Sequence, residues 1–320
     1  MRAMMIVNPH ATATTERRRD LLAHALAAEV RLVVAQTDHR GHAAELAAKA
    51  VSGGAELIVV HGGDGTVNEV VNGIMTAGAG RDAPMIAVVP GGSTNVFARA
   101  MGIDQDPVLA TEQILEALIV RQHPRTISLG RVDDRYFTFN AGMGLDAEVV
   151  AAVESRRATG RAISNALHVR KAISEYFRTD RRHPRLTLTI DGVPAPTPAH
   201  LVFVSNVDPW TYFEGRAVRT NPGTSADRGL GVFALTSLRL PTVLRVSSQL
   251  LRTDGDPSSR HLLRKDDVNS ITVSCSEPVA LQVDGDYLGL RTGATFTSVP
   301  GALRVLTGAP VRLHDEMSGS

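Results

Sequence analysis

The feature that most constrains this chain's fold is a strand–glycine turn–helix unit that occurs twice in its first third. Leu57-Ile58-Val59-Val60 is an apolar, β-branched run. It is followed at once by His61-Gly62-Gly63-Asp64-Gly65-Thr66, and then by the helical start Val67-Asn68-Glu69-Val70-Val71. Met85–Val89 repeats the pattern, with Pro90-Gly91-Gly92-Ser93-Thr94-Asn95 as the turn and Val96–Ala100 as the helix. Upstream, Ala3–Val7 and Val30–Ala35 read as strands. Thr14–Glu29 and His42–Val51 read as helices, with Thr14 or Thr15 as an N-cap. Strands alternating with helices argue for a parallel sheet covered on both faces.

The turns also carry chemistry. Glycines at a strand-to-helix turn let backbone N–H groups approach a ligand with no Cβ in the way. The helix N-terminus adds partial positive charge, which suits a phosphate. A carboxylate among those amides, Asp64, implies a cation beside the phosphate, most often Mg²⁺. Two such turns at the carboxyl ends of parallel strands face one crevice. Thr66, Ser93, Thr94 and Asn95 can donate to phosphate oxygens. Either turn alone fits a mere tight bend; the pair, with an aspartate between glycines, fits a phosphate site better.

Beyond about residue 125 the pattern changes. Arg125–Arg131 and Arg135–Asn140 flank Asp133-Asp134 as a hairpin, and Glu154–Phe177 reads as helical. Short runs at Leu186–Ile190, Leu201–Ser205, Gly231–Leu238, Ile271–Ser274, Val279–Val283 and Thr295–Val299 read as an antiparallel sandwich. The formal net charge of +1 gives no reason to expect nucleic acid as a partner. The single cysteine, Cys275, leaves no internal disulfide and fits a cytoplasmic protein. The opening apolar run is short for a signal peptide. No run of about 18 apolar residues occurs, so membrane contact is expected to be peripheral, at the inner face. Between Ser155 and Arg185 nine basic residues stand against two acidic ones, which suits an anionic surface or a solvated helix face. The Pro209–Phe213 aromatics fit a lipid entrance or the packing of the sandwich equally. A sandwich edge is available for pairing in a homodimer.

Together, Gly62-Gly63-Asp64-Gly65-Thr66 with Asn68-Glu69-Val70, and Pro90-Gly91-Gly92-Ser93-Thr94-Asn95-Val96-Phe97-Ala98-Arg99, resemble the bacterial diacylglycerol kinase and sphingoid-base kinase family. Asn8-Pro9, Thr37 with Gly41-His42-Ala43, and Phe139–Ala147 match it too. The resemblance runs from about residue 3 to residue 308. It implies an α/β ATP-binding domain like that of phosphofructokinases and NAD kinases over 1–125 and 298–320, and a lipid-binding β-sandwich over 126–297. It implies transfer of the γ-phosphoryl of ATP to a lipid hydroxyl, with diacylglycerol giving phosphatidic acid. A sphingoid base, a phosphatidylinositol-type lipid, an NAD-kinase-like soluble substrate and a non-catalytic sensor are the alternatives.

By the same resemblance Asn8, Thr37, Gly62, Gly63, Asp64, Gly65, Thr66, Gly92, Ser93, Thr94 and Asn95 hold ATP with Mg²⁺. Asp284-Gly285-Asp286 resembles the family's Asp-Gly-Glu segment, although Asp-Gly is also an ordinary hairpin turn. It makes Asp284 the general base, with Asp64 as rival, and gives Asp286 a contact to nucleotide or metal. Arg161, Asn140 and Asp146 are expected on the lipid side. Arg228 stands where the family keeps a metal-site aspartate, so either Asp227, one residue earlier, joins Asp64 as a candidate metal ligand or the charge of Arg228 replaces that cation.

Overall fold

The computed structural model describes residues 1–78, 80, 83–157, 180–213, 215–252 and 254–307, apart from the side chains of 146 and 153–157. The chain divides into two compact units: Met1–Thr126 with the segment from Leu303 onward, and Ile127–Ala302.

The first unit runs β1 (Arg2–Val7), α1 (Glu16–Ala27), β2 (Arg31–Gln36), α2 (His42–Ser52), β3 (Leu57–Gly62), α3 (Asp64–Thr76), β4 (Met85–Pro90), α4 (Val96–Ala100) and α5 (Pro107–Ile119). Its sheet is parallel throughout, in the order β2-β1-β3-β4. A returning strand completes it, Val305 lying beside Ile86. Every residue of β3 is buried, which is why that strand reads as an unbroken apolar run. Met5, Val7, Leu57, Val59, Ala87 and Val89 pack against Leu22 and Leu26 of α1 and Ile114 and Ala117 of α5. Thr15 caps α1 by accepting from the Arg18 amide at 3.2 Å.

The second unit follows, from β5 (Arg125–Val132), whose first two residues lie in the first unit. Next come β6 (Arg135–Phe137), β7 (Asn140–Gly144), α6 (Leu145–Arg157), β8 (Leu186–Ile190), β9 (Val193–Pro194) and β10 (Leu201–Ser205). The unit continues with β11 (Thr211–Phe213), β12 (Arg216–Val218), β13 (Leu230–Leu235), α7 (Leu240–Leu250), β14 (Leu262–Val268), β15 (Ser270–Val283) and β16 (Asp286–Val305). One antiparallel layer is β14-β13-β10-β7, continued by Leu281–Val283 of β15. The first half of β15 instead pairs with β8, while β16 pairs with both halves. A register shift between Ser274 and Val279 lets this one strand serve both pairings. Val202, Val204, Val232 and Ala234 face a shared core with Leu188, Ile271, Val273 and Phe296. Leu201, Phe203, Phe233 and Leu235, the alternate residues, face outward onto α7 and Trp210.

Several sequence readings are corrected. Ile271–Ser274 and Val279–Val283 are one strand, β15, and Thr295–Val299 is the interior of the 20-residue β16. Arg135–Asn140 is two strands, because the chain leaves the hairpin after Phe137 and re-pairs from Asn140. Helix α6 starts at Leu145, nine residues before the expected Glu154, and is described to Arg157. The basic stretch beyond Arg157, up to residue 179, lies outside the described residues, as do the residues after 307. Helices α5 and α7 and strand β14 have no counterpart in the sequence reading. Within Pro209–Phe213 the Trp210 ring packs 4.7 Å from that of Phe203.

Candidate active site

In the first unit the two glycine turns touch. The Gly91 amide donates to the Gly62 carbonyl at 2.8 Å. A Cβ on Gly92 would come within 2.8 Å of the Gly63 Cα, so backbone packs directly on backbone. Gly65 differs: a Cβ there would meet nothing within 4 Å. Packing within the protein does not call for glycine at that position, which is exposed on the first turn of α3. First-turn N–H groups have no intrahelical acceptor, so a ligand can approach them over Gly65.

Asp64 ties the turns together. Its Oδ2 accepts from the Val96 amide at 3.0 Å and its Oδ1 from the Phe97 amide at 3.1 Å. It thereby caps α4, whose own N-cap Asn95 sits at φ 48° and makes no side-chain cap. Asn95 instead holds the second turn, accepting from the Gly92 amide at 3.0 Å and donating to the Gly92 carbonyl at 2.9 Å. Glu69 does for α2 what Asp64 does for α4, accepting from the Gly41 and Ala43 amides at 2.9 and 3.2 Å.

The other expected residues gather at the same strand ends. Asn8 donates through Nδ2 to the Thr66 hydroxyl at 3.1 Å and accepts from the His10 amide. Thr66 is buried, and a side chain on Gly62 would strike it at 2.7 Å. Thr37 is buried at the end of β2, its amide bonded to the Val7 carbonyl. Ser93 is exposed and Thr94 half-buried. Sequence reasoning passed over His61, which is fully buried. Its Nδ1 meets the Val89 carbonyl at 3.0 Å and its Nε2 the Thr14 hydroxyl at 3.2 Å. The carbonyl requires a proton on Nδ1, and burial holds the pKa of the ring below the ordinary histidine value.

In the second unit Asp284 is both a turn residue and a buried carboxylate. Asp284 and Gly285 have φ of 46° and 81°, the two left-handed residues of a type I′ hairpin between β15 and β16. Its Oδ2 accepts from the Thr138 amide and hydroxyl, both at 2.7 Å. Its Oδ1 accepts from the Phe139 and Asn140 amides, both at 3.0 Å. These four bonds occupy the four acceptor positions a carboxylate offers. Burial pushes its pKa above the ordinary carboxylate range, against the pull of those donors.

Asn140 is equally engaged: Nδ2 donates to the Trp210 carbonyl and Oδ1 accepts from Gln282, both at 3.0 Å. Asp286 lies 3.7 Å from Arg135. Asn206 Oδ1, Asp208 Oδ1 and Trp210 Nε1 are buried without a hydrogen-bond partner, which no sequence pattern signalled. The Asp146 side chain and Arg161 lie outside the described residues.

Asp227 is exposed and bonds to Ser225, and Arg228 beside it is exposed too. Among the described residues neither Asp64 nor Asp227 belongs to a group of three potential ligand side chains. Among the described residues the one such group is Asp38, His39 and His42, with atoms within 4.8 Å of one another.

Comparison with known proteins agrees with this architecture. Residues 2–132 match the diacylglycerol kinase catalytic domain. The chain is 29% identical over 240 residues to a diacylglycerol kinase of Bacillus subtilis, spanning 74% of this chain and 73% of that one. A probable lipid kinase of Chromohalobacter salexigens is 35% identical over 118 residues, 37% of this chain and 36% of that one. A crystal structure described as a putative diacylglycerol kinase from Bacillus anthracis superposes with a TM-score of 0.75 at 21% identity, covering 97% of each chain. The chain is thus similar to the diacylglycerol kinase catalytic domain over residues 2–132 and to a bacterial diacylglycerol kinase over most of its length.

Proposed function

We propose that this protein is an ATP-dependent lipid kinase that transfers the γ-phosphoryl group to a lipid hydroxyl, with diacylglycerol as the acceptor and phosphatidic acid as the product. The observation that carries the nucleotide half is the open first turn of α3 at Gly65, set on two glycine turns locked back to back. That cradle fits a phosphate, with Thr66, Ser93 and Thr94 as hydroxyl donors around it. A divalent ion there would take its ligands mainly from phosphate oxygens and water, since both Asp64 oxygens already accept amides. Such an ion would neutralise the charge of the transferring group.

The acceptor half rests on the names of the relatives. Asp284, with four donors on its carboxylate, suits a positioning role; to act as a general base it would have to release one of them. Phosphoryl transfer depends chiefly on alignment and charge, so a firmly held Asp284 is compatible with catalysis.

The test is transfer from radiolabelled ATP to a panel of diacylglycerol, a sphingoid base and phosphatidylinositol, with and without Mg²⁺. Phosphatidic acid as the dominant, Mg²⁺-dependent product is expected. Labelling of another lipid would reassign the acceptor. Labelling of NAD offered without lipid, or nucleotide binding with no turnover, would overturn the lipid-kinase reading.

A further inference from the structure

We infer that the outward face of helix α7 docks on an anionic lipid bilayer. This rests on the lipid-kinase reading and adds where such an enzyme meets its membrane-borne acceptor. Helix α7 has two apolar faces. Val243, Val246 and Leu250 pack inward on Phe203, Phe233 and Leu235. Leu240, Leu244 and Leu251, spaced by four and seven, form a separate row and are 53%, 60% and 48% exposed. Single exposed leucines are ordinary in soluble proteins, but three aligned on one helix are not.

The charges name the occupant. Arg245 and Arg252, also seven apart, run along the edge of the leucine row away from the core, and Arg239 precedes the helix; all three are exposed. No acidic residue occurs from Leu238 through Thr253. Asp254 and Asp256 line a pocket at the Leu251 and Arg252 end, with Asp256 paired to Arg264. The arginine-edged leucine row along the helix itself carries no carboxylate, the pattern of a helix lying in an anionic interface. The surface also adjoins the Asp284 turn within the same unit. Trp210 packs in the α7 cluster, and its carbonyl receives Asn140 Nδ2, while the Asn140 amide donates to Asp284.

The test is flotation of the full chain with phosphatidylcholine vesicles and with vesicles that also contain phosphatidylglycerol, in the absence of ATP. Binding to the anionic vesicles, reversed by salt, is expected. Leu244→Glu should weaken it about tenfold or more without changing the melting temperature. Arg245→Gln with Arg252→Gln should weaken binding to the anionic vesicles selectively. Turnover of a water-soluble short-chain diacylglycerol should be unaffected by Leu244→Glu, whereas turnover on vesicles should fall. Wild-type protein that ignores anionic vesicles, or Leu244→Glu protein that binds them unchanged, would overturn the inference. So would a dimer that Leu244→Glu dissociates without altering vesicle binding, because the row would then serve a second copy. Flotation needs no phosphoryl transfer, so its failure is distinct from failure of the kinase reading.

Discussion

Asp64 receives the Val96 amide at 3.0 Å across 32 residues of sequence, so a residue of the first glycine turn is the cap of the helix that follows the second. The two turns are therefore one mechanical part. Asp64→Ala leaves the Val96 and Phe97 amides without their acceptor and is expected to cost about 1–2 kcal/mol. Asp64→Asn keeps one acceptor and should cost less. Denaturant unfolding of both variants, beside their nucleotide affinities, separates the loss of the cap from the loss of charge.

Gly65 and Gly92 should respond in opposite ways to alanine. At Gly65 the methyl enters open space on a helix, so stability should hold or rise by about 0.5–1 kcal/mol while nucleotide affinity falls. At Gly92 the methyl meets the Gly63 backbone at 2.8 Å, so the protein itself should be destabilised. Melting curves with and without ATP read both effects. Equal behaviour of the two variants would remove the assignment of Gly65 to a ligand.

Asp284→Ala strands four donors in a buried site and should destabilise the second unit by about 3 kcal/mol or more. Thr138→Ala removes one donor, the hydroxyl at 2.7 Å, and should cost about 1–2 kcal/mol. If Asp284 is a general base, Thr138→Ala should shift the pH profile of turnover. If it only positions the turn, the profile should keep its shape.

Stability should fall as pH drops below about 6.5, the ordinary histidine value. The pKa of His61 is lowered by burial, so below that pH the unfolded chain binds a proton that the folded ring resists. Above that pH the contribution is complete. His200 is lowered by burial as well, so His61→Gln should reduce the slope of stability against pH rather than abolish it. Denaturant titrations from neutral pH downward measure it.

The parts legible from sequence were those that local chemistry dictates. Glycines after apolar runs mark strand-to-helix turns, and Asp284-Gly285 is a hairpin turn by its backbone. What the sequence hid was long-range. Nothing near Asp64 announces Val96, and nothing near Asp284 announces Thr138, 146 residues away. His61 passed unnoticed because its partners, Thr14 and Val89, come from other segments. Strand β15 was read in two pieces because its register slips near Glu277-Pro278, where Pro has no amide to donate. Helix α7 went unread because apolar residues on two faces blur the single stripe that marks an amphipathic helix.

The return of β16 to the first unit has a practical consequence for dissecting this protein. Val305 pairs with Ile86, and the Leu306 amide donates to the Ile86 carbonyl at 2.7 Å. A fragment ending near residue 132, where the catalytic-domain match stops, would leave β4 as a bare edge made of Met85-Ile86-Ala87-Val88-Val89. Such an edge recruits other chains. Expressing the first unit alone therefore calls for grafting the terminal strand onto the fragment or supplying it as a separate peptide.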